Sequence, residues 1–454
     1  MKNTLHTGNL ILILSSLFLF SPWLVAQEKL TLEQAVRKAL ENNPDLAVDA
    51  PARGAAQAEL EAGKAGYRPR LDLEQSVLGG NNPVYVFGTL LTQRNFTAAD
   101  LDLAALNRPD VLQNLQTRIV AQQNLWDFGR TRQRVDSARV GVEMADLRHE
   151  DHQRQTVLAV FEAYHAVSLA RESLDSAQAA LQSAEAIVKQ AQARVDSGLA
   201  VEADLLRSQV YLASARQEEI QARGQGELAR AALNRLMGVP LAAAVGETAP
   251  LVGTGYPVPS EETLWAELRK RRPDYQALQA EVRLADLEVA GRKAQLYPTL
   301  GVFAAWEMDH PSLWESGGSN WAAGLSLRWN VYAGGGDAAT LKAARQRLEQ
   351  KQRQLAAMES AMQLQVHNAL VQVRTAGQQV QVMQAAENQS QEGLRILKNR
   401  YEAGLATMTD LLAAEAARSA ARTALFQAIY RHRLSFAQME FAAGVLSPDS
   451  AAMK

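Results

Sequence analysis

The chain has 454 residues, and 47 Lys plus Arg against 49 Asp plus Glu give a formal charge of −2, which leaves no basic footprint for nucleic acid. Aromatics are only 6% of a sequence rich in Ala, Gln, Leu, Arg and Glu, a bias towards long helices. The absence of cysteine excludes disulfides, thiolate metal sites, a cysteine nucleophile and a lipid anchor on an N-terminal cysteine.

At the N-terminus Lys2 precedes an apolar run from Leu10 to Phe20, and Leu24-Val25-Ala26 stands before Gln27. A charged start, an apolar stretch of this length and a small residue at the cut describe a secretory signal peptide over residues 1–26. After Ala26 no apolar run reaches the roughly 18–20 residues of a membrane helix. The mature chain is therefore expected beyond the inner membrane, meeting lipid as β-structure or through a partner.

Two halves follow one plan. Asn43-Pro44-Asp45 is matched by Arg272-Pro273-Asp274, and Pro69 and Leu71 by Pro298 and Leu300, all at an offset of 229. Further on, Arg194 to Ala200 is matched by Arg400 to Ala406, Asp204-Leu205-Leu206 by Asp410-Leu411-Leu412, and Gly238 by Gly444, at an offset of 206. The change of offset places extra residues in the first half, and Gly79 to Asn114 reads as a loop between its strands, on the extracellular side. The chain thus divides into a first repeat at 27–240, a Pro- and Gly-rich linker at 241–260, a second repeat at 261–446 and a tail at 447–454.

Each repeat predicts two strands, then a long helix and a shorter one. Strands are expected near 70–78 and 115–126, and again near 299–306 and 321–332. In the last of these, Trp321, Ala323, Leu325, Leu327, Trp329 and Val331 alternate with Ala322, Gly324, Ser326, Arg328 and Asn330. That period of two, apolar on one face and polar on the other, fits a membrane strand. Leu115, Thr117, Ile119 and Ala121 alternate less cleanly with Gln116, Arg118, Val120 and Gln122. Trp126, Trp306, Trp321 and Trp329 lie in or beside these strands, as aromatics do at a membrane interface. Four strands cannot close a barrel, and open edges in lipid leave backbone groups unpaired, so several chains must share one. Three chains would give twelve strands and room for water.

No proline interrupts Pro109 to Pro240 or Pro311 to Pro448. Proline costs about 3 kcal/mol inside a helix, so these gaps suit helices near 131–196 and 337–402, each roughly 100 Å long. Val160, Val167, Leu174, Leu181, Val188 and Val195 recur every seven residues with alanines three positions later, a coiled-coil seam. Gly198-Leu199 and Gly404-Leu405 turn the chain into shorter helices ending at Gly238 and Gly444.

In the order and duplication of these motifs the chain resembles the TolC-like outer-membrane efflux protein family. The likeness is carried by Leu30 to Ala35 followed by Asn43 to Leu46, by Asn124 to Arg130 and Asn330 to Gly336, and by the two Gly-Leu-Ala turns with their Asp-Leu-Leu. It implies a mainly α protein with membrane β-structure: a homotrimer with a twelve-stranded β-barrel, four strands per chain, continued by a helical tunnel in the periplasm. It implies a passive duct with no cofactor and no catalysis, set in outer-membrane lipid. Its periplasmic end would engage an adaptor and an inner-membrane transporter of the RND or ABC class. By the same resemblance Asp410 and Tyr401 belong to the periplasmic gate, while Ala413 and Ala406 depart from the family's second aspartate and usual arginine. Gly198, Leu199, Gly404 and Leu405 would form the adaptor contact.

A periplasmic coiled-coil adaptor or scaffold is the alternative, since it shares the heptads but should lack Trp-flanked strands. Asp204, the counterpart of Asp410, reads as a solvated residue at a helix start. His149 and His152 read as a solvated helix face rather than a metal site. Gly334-Gly335-Gly336 lacks the Lys-Ser/Thr ending of a phosphate loop and reads as a strand-to-helix break.

Overall fold

The computed structural model describes residues 29–253 and 255–453. The export segment expected at 1–26 lies outside them. In chain order the helices are α1 (Leu32–Asn42), α2 (Pro44–Ala47), α3 (Asp49–Lys64), α4 (Pro83–Thr92), α5 (Leu103–Asn107), α6 (Arg130–Asp196), α7 (Glu202–Leu236), α8 (Glu261–Arg271), α9 (Pro273–Ala294), α10 (Gly336–Glu402) and α11 (Met408–Ala442). The strands are β1 (Arg70–Gly80), β2 (Leu112–Trp126), β3 (Thr299–His310) and β4 (Gly318–Arg328).

Helices α6 and α10 have 67 residues each, and α7 and α11 have 35 each. The boundaries of both pairs coincide at the offset of 206. Their left-handed glycines coincide too: Gly198 and Gly404 have φ of 74° and 75°. Only a residue without Cβ takes this conformation at little cost, so each hairpin turns at the same place. Along α6 the alanine row is the innermost. Ala170, Ala177, Ala184 and Ala191 are buried, whereas Val167, Leu174, Leu181 and Val188 stay partly exposed in the single chain. Small side chains let the facing helices approach, and the larger ones flank that contact.

The strands form one antiparallel sheet in the order β1-β2-β3-β4. Its central pairing joins the two halves, aligning Ile119 with Trp306 and Ala121 with Ala304. The expected strand over 321–332 stops at Arg328. Past it, the Trp329 indole donates to the Leu296 carbonyl at 3.1 Å, and Gly334 and Gly335 turn left-handed into α10. At the other end of the sheet β1, β2 and β3 run beyond the apolar alternation, because backbone pairing continues through Gly80, Leu112 and His310.

The main core lies midway along the helices, where Val160, Phe161 and Tyr164 of α6 meet Val36, Leu233, Met362, Val366 and Phe436. The linker crosses this core as a strap. Tyr164, 1% exposed, donates its hydroxyl to the Leu30 carbonyl at 2.8 Å and accepts from the Ala249 amide at 2.9 Å. Arg433 holds the Val252 carbonyl at 2.8 Å. Among the described residues no helix is long and apolar enough to cross a membrane.

Candidate functional site

The residues singled out from sequence fall in two regions at opposite ends of the molecule, the sheet and the tips of the helical hairpins. In the sheet, register sorts the side chains into two faces. One carries Leu71 and Leu73 of β1, Ile119 and Ala121 of β2, Trp306, Ala304 and Val302 of β3, and Trp321, Ala323, Leu325 and Leu327 of β4. Its outer strands are exposed, with Leu71 and Leu73 71% accessible and Trp321 80%, while Ile119 and Ala121 of β2 are half-buried. The opposite face carries Glu74, Arg118 and Glu307 in register, with Arg118 3.7 Å from Glu74. An apolar side bare to its surroundings and a charged side behind it suit a wall between lipid and water.

β2 carries a bulge at its helical end. The register slips between Asn124 and Trp126, so that Asn124 pairs with Gly301 but Trp126 with Leu300. One extra residue, Leu125, moves Trp126 onto the apolar face. There Trp126 meets Phe128 edge-on at 5.9 Å, and Phe128 stacks on Tyr297 at 4.9 Å. The sequence reading missed these two rings, which lie just outside the strands. Trp126 and Trp329 thus sit at the helical end of the sheet. Trp306 and Trp321, paired with each other, sit roughly 20 Å further along the strands. The outer edges of β1 and β4 have no partner among the described residues.

At the other end the hairpin tips superpose as sequence. Leu199 and Leu405 each donate their amide to an arginine carbonyl, Arg194 and Arg400, at 2.7 Å, and their side chains are 73% and 69% exposed. The helices that follow begin differently. Thr407 caps α11, its hydroxyl accepting from the Asp410 amide at 3.2 Å, while the Asp410 carboxylate accepts from the Thr407 amide at 3.0 Å and hydroxyl at 2.7 Å. The Thr407 hydroxyl and then its amide hold the Asp410 carboxyl below the usual 3.8, so it stays charged. Asp204 lies in the first turn of α7, partly exposed, at the helix start the sequence reading gave it, but it is not the cap. Val201 occupies the cap without a side-chain bond, and Asp204 faces Arg207 at 3.4 Å.

Tyr401 is buried among Ile187, Ala191, Leu394, Met408 and Leu411. The Arg194 guanidinium lies 4.8 Å from its ring centre and donates to its carbonyl at 3.1 Å. Arg207 reaches Thr409 at 3.4 Å. Both ties join the first hairpin to the second within one chain, where the family pattern had led to position 406. Neither arginine was singled out from sequence, although Arg194 is the repeat counterpart of Arg400. Behind them Glu415 is buried and accepts from Ser183 at 2.7 Å, and burial beside Glu415 and Glu218 pushes the Tyr211 hydroxyl up to about 12.

His149 and His152 are not a free solvated face. Their Nδ1 atoms lie 3.0 and 2.9 Å from the two oxygens of Asp49, at the start of α3. The pair clips the N-terminal segment to α6.

Comparison with known proteins agrees with this geometry. The family model described as outer membrane efflux protein matches residues 35–239 and 264–445. The alkaline protease secretion protein AprF of Pseudomonas aeruginosa is 26% identical over 341 residues, 72% of this chain and 68% of its own. The proteases secretion protein PrtF of Dickeya chrysanthemi is 23% identical over 420 residues, 90% of this chain and 87% of its own. The crystal structure of the Campylobacter jejuni CmeC outer membrane channel superposes with a TM-score of 0.79 at 17% identity, over 93% of this chain and 87% of that one.

Proposed function

Because this chain belongs to the outer membrane efflux protein family, we propose that it is the outer-membrane exit channel of a tripartite export system. Solutes pass through it unchanged from periplasm to exterior, and the energy is supplied elsewhere. The observation that carries the reading is the four-stranded sheet: one face bare and apolar, the other charged, both edges unpaired, and two 67-residue helices running on from it. Unpaired edges cost several kcal/mol per group in lipid. Three chains pairing β4 of one with β1 of the next remove them and leave a water-filled lumen lined by Glu74, Arg118 and Glu307. Trp126 and Trp329 then mark one membrane interface, Trp306 and Trp321 the other.

The helical hairpins form the periplasmic tunnel, and Leu199 and Leu405 at their tips are the knobs that an adaptor of an RND or ABC transporter grips. Asp410, charged and exposed beside the second tip, lines the gate. Three copies around a narrow opening favour cations, since low-dielectric walls focus their field. An uncleaved leader would tether the helical body, near Leu30 and Tyr164, to the wrong membrane, and cleavage after residue 26 frees it.

The test is the native mass of the mature protein extracted from purified outer membranes, followed by bilayer conductance. Three chains and a divalent-cation block weakened by Asp410→Asn are expected. A soluble monomer absent from that membrane overturns the channel, and an unchanged block removes Asp410 from the gate.

A further inference from the structure

We infer that residues 81–111 form a second constriction, at the outer mouth of the channel, with Gln93 and Arg94 as the residues that position it and thereby set the size of solute that leaves. The inference rests on the barrel reading above.

The place follows from topology. The segment joins β1 to β2 at the sheet end opposite α6 and α10, the same end as the β3–β4 turn. Its face follows from its anchors. Gln93, 1% exposed, donates to the Gln113 carbonyl at 2.9 Å and the Asn114 side chain at 3.0 Å. Asn114 donates to Asp309 at 2.6 Å, Gln116 donates to the same oxygen at 3.1 Å, and Asn320 donates to the Thr92 carbonyl at 3.3 Å. By register Asn114, Gln116, Asp309 and Asn320 all share the polar face with Arg118 and Glu307. Arg94 completes the span by donating to the Ser319 carbonyl on the edge strand β4 at 2.8 Å. The segment therefore crosses from β2 to β4 over the lumenal side of the sheet, not over the lipid side or away from it.

It is also built to stay there. Asn82 caps α4, Phe87 and Phe96 meet edge-on at 5.1 Å, and Val86 is buried. A Cβ on Gly318 would lie 2.0 Å from the Thr92 oxygen, so glycine is what allows the close approach to β4. Arg94 holds a left-handed φ of 56°, a strain kept because its side chain and its neighbour's are both anchored. Three such segments, one per chain, narrow a lumen that the twelve strands alone would leave open.

The natural chain has no cysteine, so accessibility can be read at single introduced thiols. Ser326→Cys places one on the lumenal face, paired in register with Gly301, and Leu325→Cys places one on the apolar face. Intact cells are treated from outside with a small maleimide and with a bulky polyethylene-glycol maleimide. In the natural background the small reagent should label Ser326→Cys and the bulky one should not. Gln93→Ala with Arg94→Ala, which removes three hydrogen bonds, should speed bulky labelling by about tenfold or more. Replacing residues 84–108 by a Gly-Gly link should make the two reagents equivalent. Bulky labelling as fast as small labelling in the natural background overturns the constriction, whatever the variants do. Labelling of Leu325→Cys as fast as Ser326→Cys overturns the barrel itself, which separates the two failures.

Discussion

Asn43 holds the end of α7 as Arg272 holds the end of α11. The Asn43 amide donates to the Leu236 carbonyl at 3.0 Å, and the Arg272 guanidinium to the Ala442 carbonyl at 3.3 Å. The donors stand at the offset of 229 and the acceptors at the offset of 206, so the two repeats close their helical hairpins by one device with different chemistry. Each donor satisfies a carbonyl that a helix end leaves without a partner.

The two closures should differ in what their loss costs. Asn43→Ala removes the bond to the Leu236 carbonyl and also the two that its side-chain oxygen accepts from the Asp45 and Leu46 amides as the cap of α2, and should destabilise by about 2 kcal/mol. Arg272 is also paired with Asp274 at 2.5 Å and bonded to Gln365 at 2.9 Å. Arg272→Ala leaves the Asp274 carboxylate without that partner and should cost about 3 kcal/mol. Thermal unfolding of the purified protein measures both, and equal shifts would sink the distinction.

Gly238 follows the first of these caps with φ of 68°, and a Cβ there would lie 2.1 Å from the Asn42 carbonyl oxygen. Gly238→Ala should therefore destabilise by at least about 2 kcal/mol, from the left-handed backbone and the clash together. Gly224 lies inside α7 with nothing within 4 Å of its Cβ position. Gly224→Ala should stabilise by about 0.5–1 kcal/mol. Melting curves of the two variants should move in opposite directions.

Arg194 ties the hairpin tips together through the ring and the carbonyl of Tyr401. Arg194→Ala should raise the open fraction of single channels by about tenfold. Arg194→Lys should recover only part of the closure, because an ammonium keeps the charge without the planar fork. Bilayer recordings of the three proteins decide it; identical open fractions would mean that the tips are held elsewhere.

Acid should loosen the N-terminal clip. Burial pushes the Asp49 carboxyl up, but hydrogen bonds from His149 and His152 outweigh it and leave its pKa below the usual 3.8. A lowered carboxyl contributes stability that is present above 3.8 and is lost as the pH falls through the folded value. In His149→Ala with His152→Ala that contribution should be missing at pH 5–7 and the acid unfolding midpoint should rise. A midpoint that stays in place would remove the clip from the stability of the fold. His165, by contrast, is held down to about 3 by burial, so it stays neutral through the same range.

Local features were legible in the residues. Proline-free gaps of 130 and 136 residues and alanines every seven positions favour long paired helices, because helix geometry depends on near neighbours. The two offsets fixed the repeat, and alternation at Trp321 to Leu327 fixed the apolar face of β4. The absence of cysteine bounded the chemistry before any fold was known.

Tertiary structure decided what joins distant residues. Arg194 and Tyr401 are 207 positions apart, Asp49 and His149 are 100 apart, and Asn114 and Asp309 are 195 apart. No periodicity spans such distances, because which charged or amide side chain finds a partner depends on how whole helices and strands are stacked. The bulge at Leu125 is of the same kind. Alternation along β2 continues through Leu125 as a pattern of residues, and only pairing with β3 reveals that Trp126 faces Leu300. Sequence set the elements and their repetition through local conformational preference, and packing between elements chose the ties, the face of Trp126 and the fold of 81–111 over the polar wall.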